Sequence, residues 1–355
     1  MTRFIVAEAA ARLAESRSVE IEPEAIDAAV TLTGRFEPYR SFPGKAIRLL
    51  EGAVDGRKSD VQRFDRAQLT AAFASRSGMP LTLLSDSMPL RIADVRTHFE
   101  TRILGQPEAT AALVDVVSVL KAGLNDPQKA LGSFFFVGPT GVGKTESAKA
   151  LAEFLFGSRE RLVRFDMGEY TSIDAVQRLI GTAWGTAEGE LTRRVREQPF
   201  CVVLLDEIEK AHWSVFDALL AAIGEGRMTD AAGRTADFRN AIVIMTSNLG
   251  ASRVRSSPLG FGVDGADASD HERYIAEAER FFRPEFFNRI DRVVVFHALS
   301  QQTVRQIARR ELNRLLVREG IVRRRLLVEL DDSVIAIVAE SGFHPRYGAR
   351  PLQRA

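Results

Sequence analysis

The sequence predicts a doubly wound α/β domain, preceded by a helical module and followed by a small C-terminal α/β unit. Three observations carry this expectation. Short apolar runs at 134–137, 162–165, 201–205, 242–245 and 293–296 alternate with longer helical stretches. Most are apolar almost throughout, as expected where helices cover both faces of a parallel sheet. The first run ends in a glycine-punctuated turn that opens directly into a helix. We expect the divisions at residues 1–84, 85–297 and 298–355.

In chain order, the first 54 or so residues read as helical. Glu22-Pro23 starts one helix, with Pro tolerated in the first turn and Ile26, Val30 and Thr33 on one face. Ser41-Phe42-Pro43 starts another, with Ile47, Leu50 and Val54 as its stripe. After a polar linker from Asp55 to Asp60, a short helix from about Asp65 carries Leu69, Ala72 and Phe73 and stops at Gly78-Met79-Pro80. A linker around Ser85 leads through a helical segment to Ile103-Leu104-Gly105-Gln106-Pro107. The next helix places Leu113, Val117, Leu120 and Leu124 on one face. The strand–helix alternation follows, and from Ser300 the chain returns to helix, with one short strand candidate at 326–330.

Composition bounds the function. The 355 residues are 45% hydrophobic and 27% charged, with a formal charge of +1, which suits a folded chain of two or three units. That balance gives no reason to expect a nucleic-acid partner or an anionic membrane. The short basic run Arg323-Arg324-Arg325 reads as a solvated helix end. No apolar run approaches the ~18 residues of a membrane span. The N-terminus reads as an Ala/Glu-rich helix rather than a signal peptide. With one cysteine, Cys201, inside an apolar run, a reducing cytoplasm is the expected compartment. The scattered histidines and single cysteine predict no protein-bound metal.

The chemistry centres on Gly138-Pro139-Thr140-Gly141-Val142-Gly143-Lys144-Thr145. This is the phosphate-loop pattern G-x-x-x-x-G-K-[ST], set between a buried strand and a helix start. Glycines let backbone N–H groups curl inward at phosphates, and the helix start adds unpaired donors and a positive dipole end. Lys144 can reach the outer phosphates, and the Thr145 hydroxyl can ligate magnesium. About 60 residues on, the run 201–205 ends in Asp206-Glu207, where an acid can hold the magnesium and a second can activate water. We assign Asp206 to Mg²⁺ and Glu207 to the base. The run 242–245 ends at Thr246-Ser247-Asn248, where an amide could orient water or be an ordinary turn residue. Arg289, among crowded aromatics, could be a fork for phosphate charge or an ion-pair partner of Asp291.

From about residue 103 onward the chain resembles the second ATPase ring of the Clp AAA+ unfoldases and disaggregases, the ClpA, ClpB and ClpC group. The phosphate loop carries the resemblance together with Leu205-Asp206-Glu207-Ile208-Glu209-Lys210-Ala211-His212, Gly233-Arg234-Thr235-Ala236-Asp237-Phe238-Arg239-Asn240 and Met245-Thr246-Ser247-Asn248-Leu249-Gly250. Arg283-Pro284-Glu285-Phe286-Phe287-Asn288-Arg289-Ile290-Asp291 and Tyr347-Gly348-Ala349-Arg350-Pro351-Leu352 follow in the same order. The resemblance implies an AAA+ ATPase using ATP and Mg²⁺, with Asn248 as sensor 1, Arg289 as an arginine finger for the neighbouring subunit and Arg350 as the sensor-2 arginine of the lid. It places Ile103 and Leu104 around adenine and implies a hexameric ring acting on protein substrates. Residues 40–47 resemble the end of the first ring's lid, and Ser77-Gly78-Met79-Pro80 resembles the inter-ring linker.

Some features depart from that pattern. The chain carries no first-ring phosphate loop and no long coiled coil between the two matches. Where threading relatives carry a Gly-Tyr-Val-Gly-type pore loop, this chain reads Gly181-Thr182-Ala183-Trp184-Gly185-Thr186-Ala187-Glu188, so Trp184 either grips substrate or packs in the domain. The chain stops at Ala355, just after the sensor-2 match, so we expect an incomplete lid. Leu259-Gly260-Phe261 resembles the loop that docks protease-partnered relatives on a peptidase, with local packing as the competing expectation. The expected function is a ring-forming ATPase that remodels or unfolds proteins. The alternative is an ATP-dependent assembly or regulatory module that threads nothing.

Overall fold

The computed structural model describes residues 1–37, 40–56, 62–85, 87–181, 188–250, 266–323, 328–343, 348–349 and 352, with the backbone alone at 266–270 and 321–322. The N-terminal module packs the helices Thr2–Arg17, Pro23–Phe36, Gly44–Asp55 and Arg66–Ser77. Glu22 occupies the N-cap position of the second of these, without a side-chain capping bond, and Pro23 opens its first turn as predicted. Its buried face is Ala25, Ala28, Ala29, Leu32, Thr33 and Phe36, so the expected Thr33 is buried while Ile26 and Val30 are only half-buried. Small alanines let neighbouring helices approach closely, and the larger aliphatics cover the flank. Asp65 and Gln68 form a reciprocal capping box on the helix Arg66–Ser77. That helix ends at Gly78, φ 77°, where a Cβ would stand 2.7 Å from the carbonyl oxygen of Phe156. The module is therefore seated directly on the helix that follows the phosphate loop. Phe36, Phe73 and Phe200 continue the contact, with ring centroids 5.7–6.4 Å apart.

The central sheet has five parallel strands: β1 (Gly132–Val137), β2 (Leu162–Asp166), β3 (Cys201–Asp206), β4 (Ala241–Ser247) and β5 (Arg292–Val295). Their order is β2-β3-β4-β1-β5. Each matches a predicted apolar run to within two residues. The ladder extends β3 and β4 into polar residues because a neighbouring strand continues to pair there, Val137 with Ser247 for example. Phe296 falls just beyond β5, with its amide still bonded to the Val137 carbonyl at 2.8 Å. Apolar clusters lie on both sheet faces, as the near-continuous strand patterns require. Cys201 is fully buried in β3, and burial pushes its thiol up to about 12.

Leu124 departs from its expected place. The helix Pro107–Ala122 stops at Gly123 in the left-handed region, and Leu124 beyond it is 77% exposed. A hairpin of Arg227–Thr229 with Thr235–Asp237, turning through Gly233, adds to the elements that the apolar runs predict. The helices Gln301–Leu316 and Asp332–Ser341 pack around Val304, Ala308, Ile335, Ala339 and Leu352. Of the strand candidate at 326–330, residues 328–330 are not in a strand and 326–327 lie outside the described residues. Among the described residues, no helix is long and apolar enough to cross a membrane.

Candidate nucleotide site

Because all five strands are parallel, their carboxyl ends share one edge, where α/β sheets bind ligands. The strand order puts β1 beside β4, and β4 beside β3. The phosphate loop, Asn248 and Asp206-Glu207 thus converge from three adjacent strand ends.

The loop backbone has the shape its glycines permit. Gly138, Gly141 and Gly143 have φ of 149°, 76° and 113°, values unfavourable for residues with a Cβ. A Cβ on Gly138 would lie 2.2 Å from the Phe296 carbonyl oxygen, whereas one on Gly143 would meet nothing within 4 Å among the described residues. Gly138 therefore answers to packing, and Gly143 opens onto the cradle. The helix Lys144–Phe156 begins with no side chain capping its N-terminus, so a polyphosphate fits there as the missing acceptor. Val142, within the loop, is buried. Lys144, 8% exposed, donates from Nζ to the carbonyls of Gly138 at 2.6 Å and Pro139 at 2.8 Å, and to Asn248 Oδ1 at 2.9 Å. The Thr140 hydroxyl reaches the same amide oxygen at 3.2 Å. Thr145 is half-buried one residue into the helix.

The two acids are held differently. Asp206 Oδ1 accepts from the Thr246 hydroxyl, and Oδ2 accepts from Arg164 Nη2 at 2.6 Å and Nε at 3.1 Å. Glu207 turns out of the strand in the left-handed region, φ 57° and ψ 50°. Its amide donates to the Thr246 hydroxyl at 3.1 Å. One Glu207 carboxylate oxygen pairs with Lys210, and the other accepts from Asn248 Nδ2 at 3.4 Å. The hydrogen bond to Glu207 raises the pKa of Lys210. The Asn248 backbone amide donates to Glu209 Oε1 at 3.0 Å, and among the described residues the buried Glu209 Oε2 has no partner. A carboxylate pair beside a glycine cradle and a threonine is a donor set suited to Mg²⁺ carried by a nucleotide.

Ile103 is buried and Leu104 half-buried at the turn before the helix Pro107–Ala122. Gln106 ties that turn down. Its Nε2 donates to the carbonyls of Val142 at 3.3 Å and His297 at 2.8 Å, and its Oε1 accepts from the His297 amide at 3.0 Å. The C-terminal unit also reaches the loop. The Ala349 amide donates to the Gly141 carbonyl at 3.2 Å, and a Cβ on Gly348 would lie 2.7 Å from the oxygens of Thr140 and Gly141.

Arg289 stands apart. It is exposed, its guanidinium lies against Gly224, and its carbonyl accepts from Ser133 Oγ at 3.0 Å. Ser133 is near the start of β1 and the phosphate loop follows its end, so Arg289 lies at the opposite edge of the sheet. Asp291 is not its ion-pair partner. That carboxylate accepts from Ser133 N at 2.7 Å and Oγ at 2.8 Å. Arg350, Trp184, Leu259, Gly260, Phe261, Arg324 and Arg325 lie outside the described residues.

Sequence reasoning did not single out Arg164, Thr246 or Gln106 for this site. Arg164 is the one polar residue between Leu162 and Phe165, and a charge inside such a run was a usable signal. Thr246 and Gln106 lie in stretches where nothing in the sequence distinguishes them from their neighbours.

Residues 129–293 match the family described as AAA domain (Cdc48 subfamily). Residues 299–355 match the C-terminal, D2-small domain, of ClpB protein, and residues 2–68 an AAA lid domain. The chain is 41% identical over 345 residues to the negative regulator of genetic competence ClpC/MecB of Bacillus subtilis, covering 93% of this chain and 42% of that protein. It is 41% identical over 293 residues to chaperone protein ClpB of Vibrio cholerae, covering 81% and 34%. Against the probable chaperone protein ClpB 1 of Chlorobaculum tepidum it is 40% identical over 304 residues, covering 84% and 68%. Among solved structures, the S. cerevisiae Hsp104–ADP complex superposes with TM-score 0.82 at 31% identity, covering 99% of this chain and 62% of that one. The S. cerevisiae Hsp104:casein complex in its extended conformation gives 0.81, also at 31% identity, with 99% and 62% covered. The chain spans less than half the length of the ClpC and Vibrio ClpB relatives.

Proposed function

Since this chain belongs to the Clp/Hsp100 AAA+ ATPases, as their second ATPase module with a preceding lid, we propose that it binds ATP with Mg²⁺ and hydrolyses it in a homohexameric ring that remodels proteins in the cytoplasm. The observation that carries this reading is the side chain of Asn248. It bridges Lys144 at 2.9 Å and Glu207 at 3.4 Å, so the phosphate-loop cation, the sensor amide and the base form one network.

In this reading the backbone of residues 138–145 receives the phosphates, and Lys144 exchanges carbonyl partners for phosphate oxygens. Thr145 and Asp206 would hold Mg²⁺, which when bound would neutralise charge on the outer phosphates. Glu207 accepts a proton from water as the water oxygen bonds to the γ-phosphorus. The bond from that phosphorus to the bridging oxygen breaks, leaving ADP and phosphate. Asn248 orients the water or the γ-phosphate, and Ile103 and Leu104 enclose adenine. The exposed Arg289, remote from its own loop, suits a finger that acts on the next subunit's ATP, and Arg350 follows the two residues that touch the loop from the lid. Both would stabilise developing negative charge.

The test compares steady-state ATP hydrolysis by wild type and Glu207→Gln, with particle mass measured with and without ATP. The expected result is a nucleotide-stabilised hexamer in both and a loss of roughly 10²-fold or more in the variant. If wild type and variant are equally inactive as hexamers, the enzymatic reading fails.

A second reading has one observation in its favour. The segment from Gly181 to Glu188 lacks a Tyr-Val pair, which favours an ATP-dependent assembly or regulatory module that threads nothing. Translocation of a fluorescent unfoldable substrate, compared with Trp184→Ala, separates the two. Docking on a peptidase through Leu259-Gly260-Phe261 belongs to the first reading.

A further inference from the structure

Asp206 already has a cation. Two guanidinium N–H groups of Arg164, from the adjacent strand β2, converge on its Oδ2 at 2.6 and 3.1 Å. The pair is asymmetric, with the Asp206 side chain 8% exposed and that of Arg164 47% exposed. A buried carboxylate is costly without a counterion. A half-exposed guanidinium can leave for water at small cost, because its head is already partly hydrated.

We propose that Arg164 is a resident counterion that neutralises Asp206 while the nucleotide is absent and gives the carboxylate up to the Mg²⁺ that arrives with it. The site thereby favours the metal–nucleotide complex over bare Mg²⁺. This rests on the assignment of Asp206 to Mg²⁺ made above. Two further features fit the role. The Thr246 hydroxyl holds the other oxygen, Oδ1, so the carboxylate keeps its orientation when Arg164 departs. Arg164 also acts on Asp206 from a different strand, whereas Glu207 has its own cation in Lys210. Releasing Arg164 therefore leaves the base where it is. Arg164 is a positioning residue, since its effect on metal and nucleotide runs through Asp206.

The experiment uses wild type, Arg164→Gln and Arg164→Met, with Arg164→Lys as the charge-retaining control. One measurement is the Mg²⁺ concentration that half-saturates binding of a fluorescent ATP analogue. The other is the melting-temperature shift caused by Mg²⁺ alone. We expect Arg164→Gln and Arg164→Met to lower the half-saturating Mg²⁺ by roughly fivefold, to gain a melting shift from Mg²⁺ alone that wild type lacks, and Arg164→Lys to fall between. A variant that binds the analogue with the wild-type Mg²⁺ requirement overturns the proposal. If wild type binds no analogue, the nucleotide reading itself fails. The melting comparison then still decides, since equal Mg²⁺ responses in wild type and variants remove the counterion role. Should Arg164→Gln not fold, Arg164→Met, which keeps an unbranched aliphatic stem in the strand, supplies the same comparison.

Discussion

The amide of Glu207 donates to the hydroxyl of Thr246 at 3.1 Å, bridging the ends of strands β3 and β4. That hydroxyl in turn donates to Asp206, so one side chain fixes both acids. Glu207 is a non-glycine residue held at φ 57°, a conformation that costs free energy unless its surroundings enforce it. Thr246→Val keeps the shape and removes the hydroxyl. It leaves the Glu207 amide and Asp206 Oδ1 each short of a partner, a cost of about 1–3 kcal/mol per group. We expect a lower melting temperature and ATP turnover reduced by roughly 10²-fold, with nucleotide affinity changed far less. Turnover that stays at the wild-type rate would show that Glu207 holds its position unaided.

Gly348 lies against the phosphate loop with φ 60°, and a Cβ there would come within 2.7 Å of two loop carbonyl oxygens. Backbone atoms cannot swing aside as a flexible side chain can. Gly348→Ala should therefore lift the C-terminal unit off the loop, at about 1–2 kcal/mol for the left-handed conformation alone. We expect the dissociation constant for ATP to rise by roughly tenfold while the main melting transition stays in place. Equilibrium titration with a fluorescent analogue measures it.

Much of this was legible in the sequence. Buried parallel strands must be apolar on both faces, so all five strands stood out, and the glycine spacing between Gly138 and Lys144 marked the loop. Asp206 and Glu207 were legible because paired acids at a buried strand end need a reason. What pairs across strands was not legible. Arg164 meets Asp206 only through the β2–β3 register, and Asp291 meets Ser133 across 158 positions, so neighbouring sequence pointed to Arg289 instead. Leu124 fitted the helical period, but the left-handed Gly123 ends the helix first. The alanine face of the helix Pro23–Phe36 was missed because close helix packing selects small residues, and a search for large aliphatics passes over them.

Gln106 is 2% exposed, and its side chain joins the turn at Ile103, the phosphate loop and the exit of β5. Gln106→Leu fills a similar volume but leaves the His297 amide and carbonyl without this partner, at about 1–3 kcal/mol for each group left unpaired. We expect a lower urea midpoint with an unchanged slope, and weaker adenine-nucleotide binding because Val142 and Ile103 lose their common anchor. A urea midpoint within error of wild type would mean that water or a shifted neighbour satisfies both His297 groups.

Stability should also depend on His98. Among the described residues its buried Nε2 has no partner, and its ring meets those of Phe99 and Phe154 at centroid distances of 5.3 and 4.9 Å. Burial lowers its pKa, the charge of Arg102 lowers it further, and the charge of Glu153 opposes them. In the unfolded chain the same imidazole titrates near ~6.5. As pH falls through that value, the unfolded state gains a proton that the folded state resists, so the contribution present at pH 7.5 drains away. Glu153, held below its ordinary value by the hydrogen bond to Arg102, loses its contribution only at more acid pH. Urea unfolding at pH 7.5 and 5.5 should show wild type losing stability across this interval and His98→Leu losing distinctly less, the difference between the two isolating this ring. Parallel losses would mean that His98 takes up its proton as readily folded as unfolded, and that its pocket admits the water or the motion needed to hold the charge.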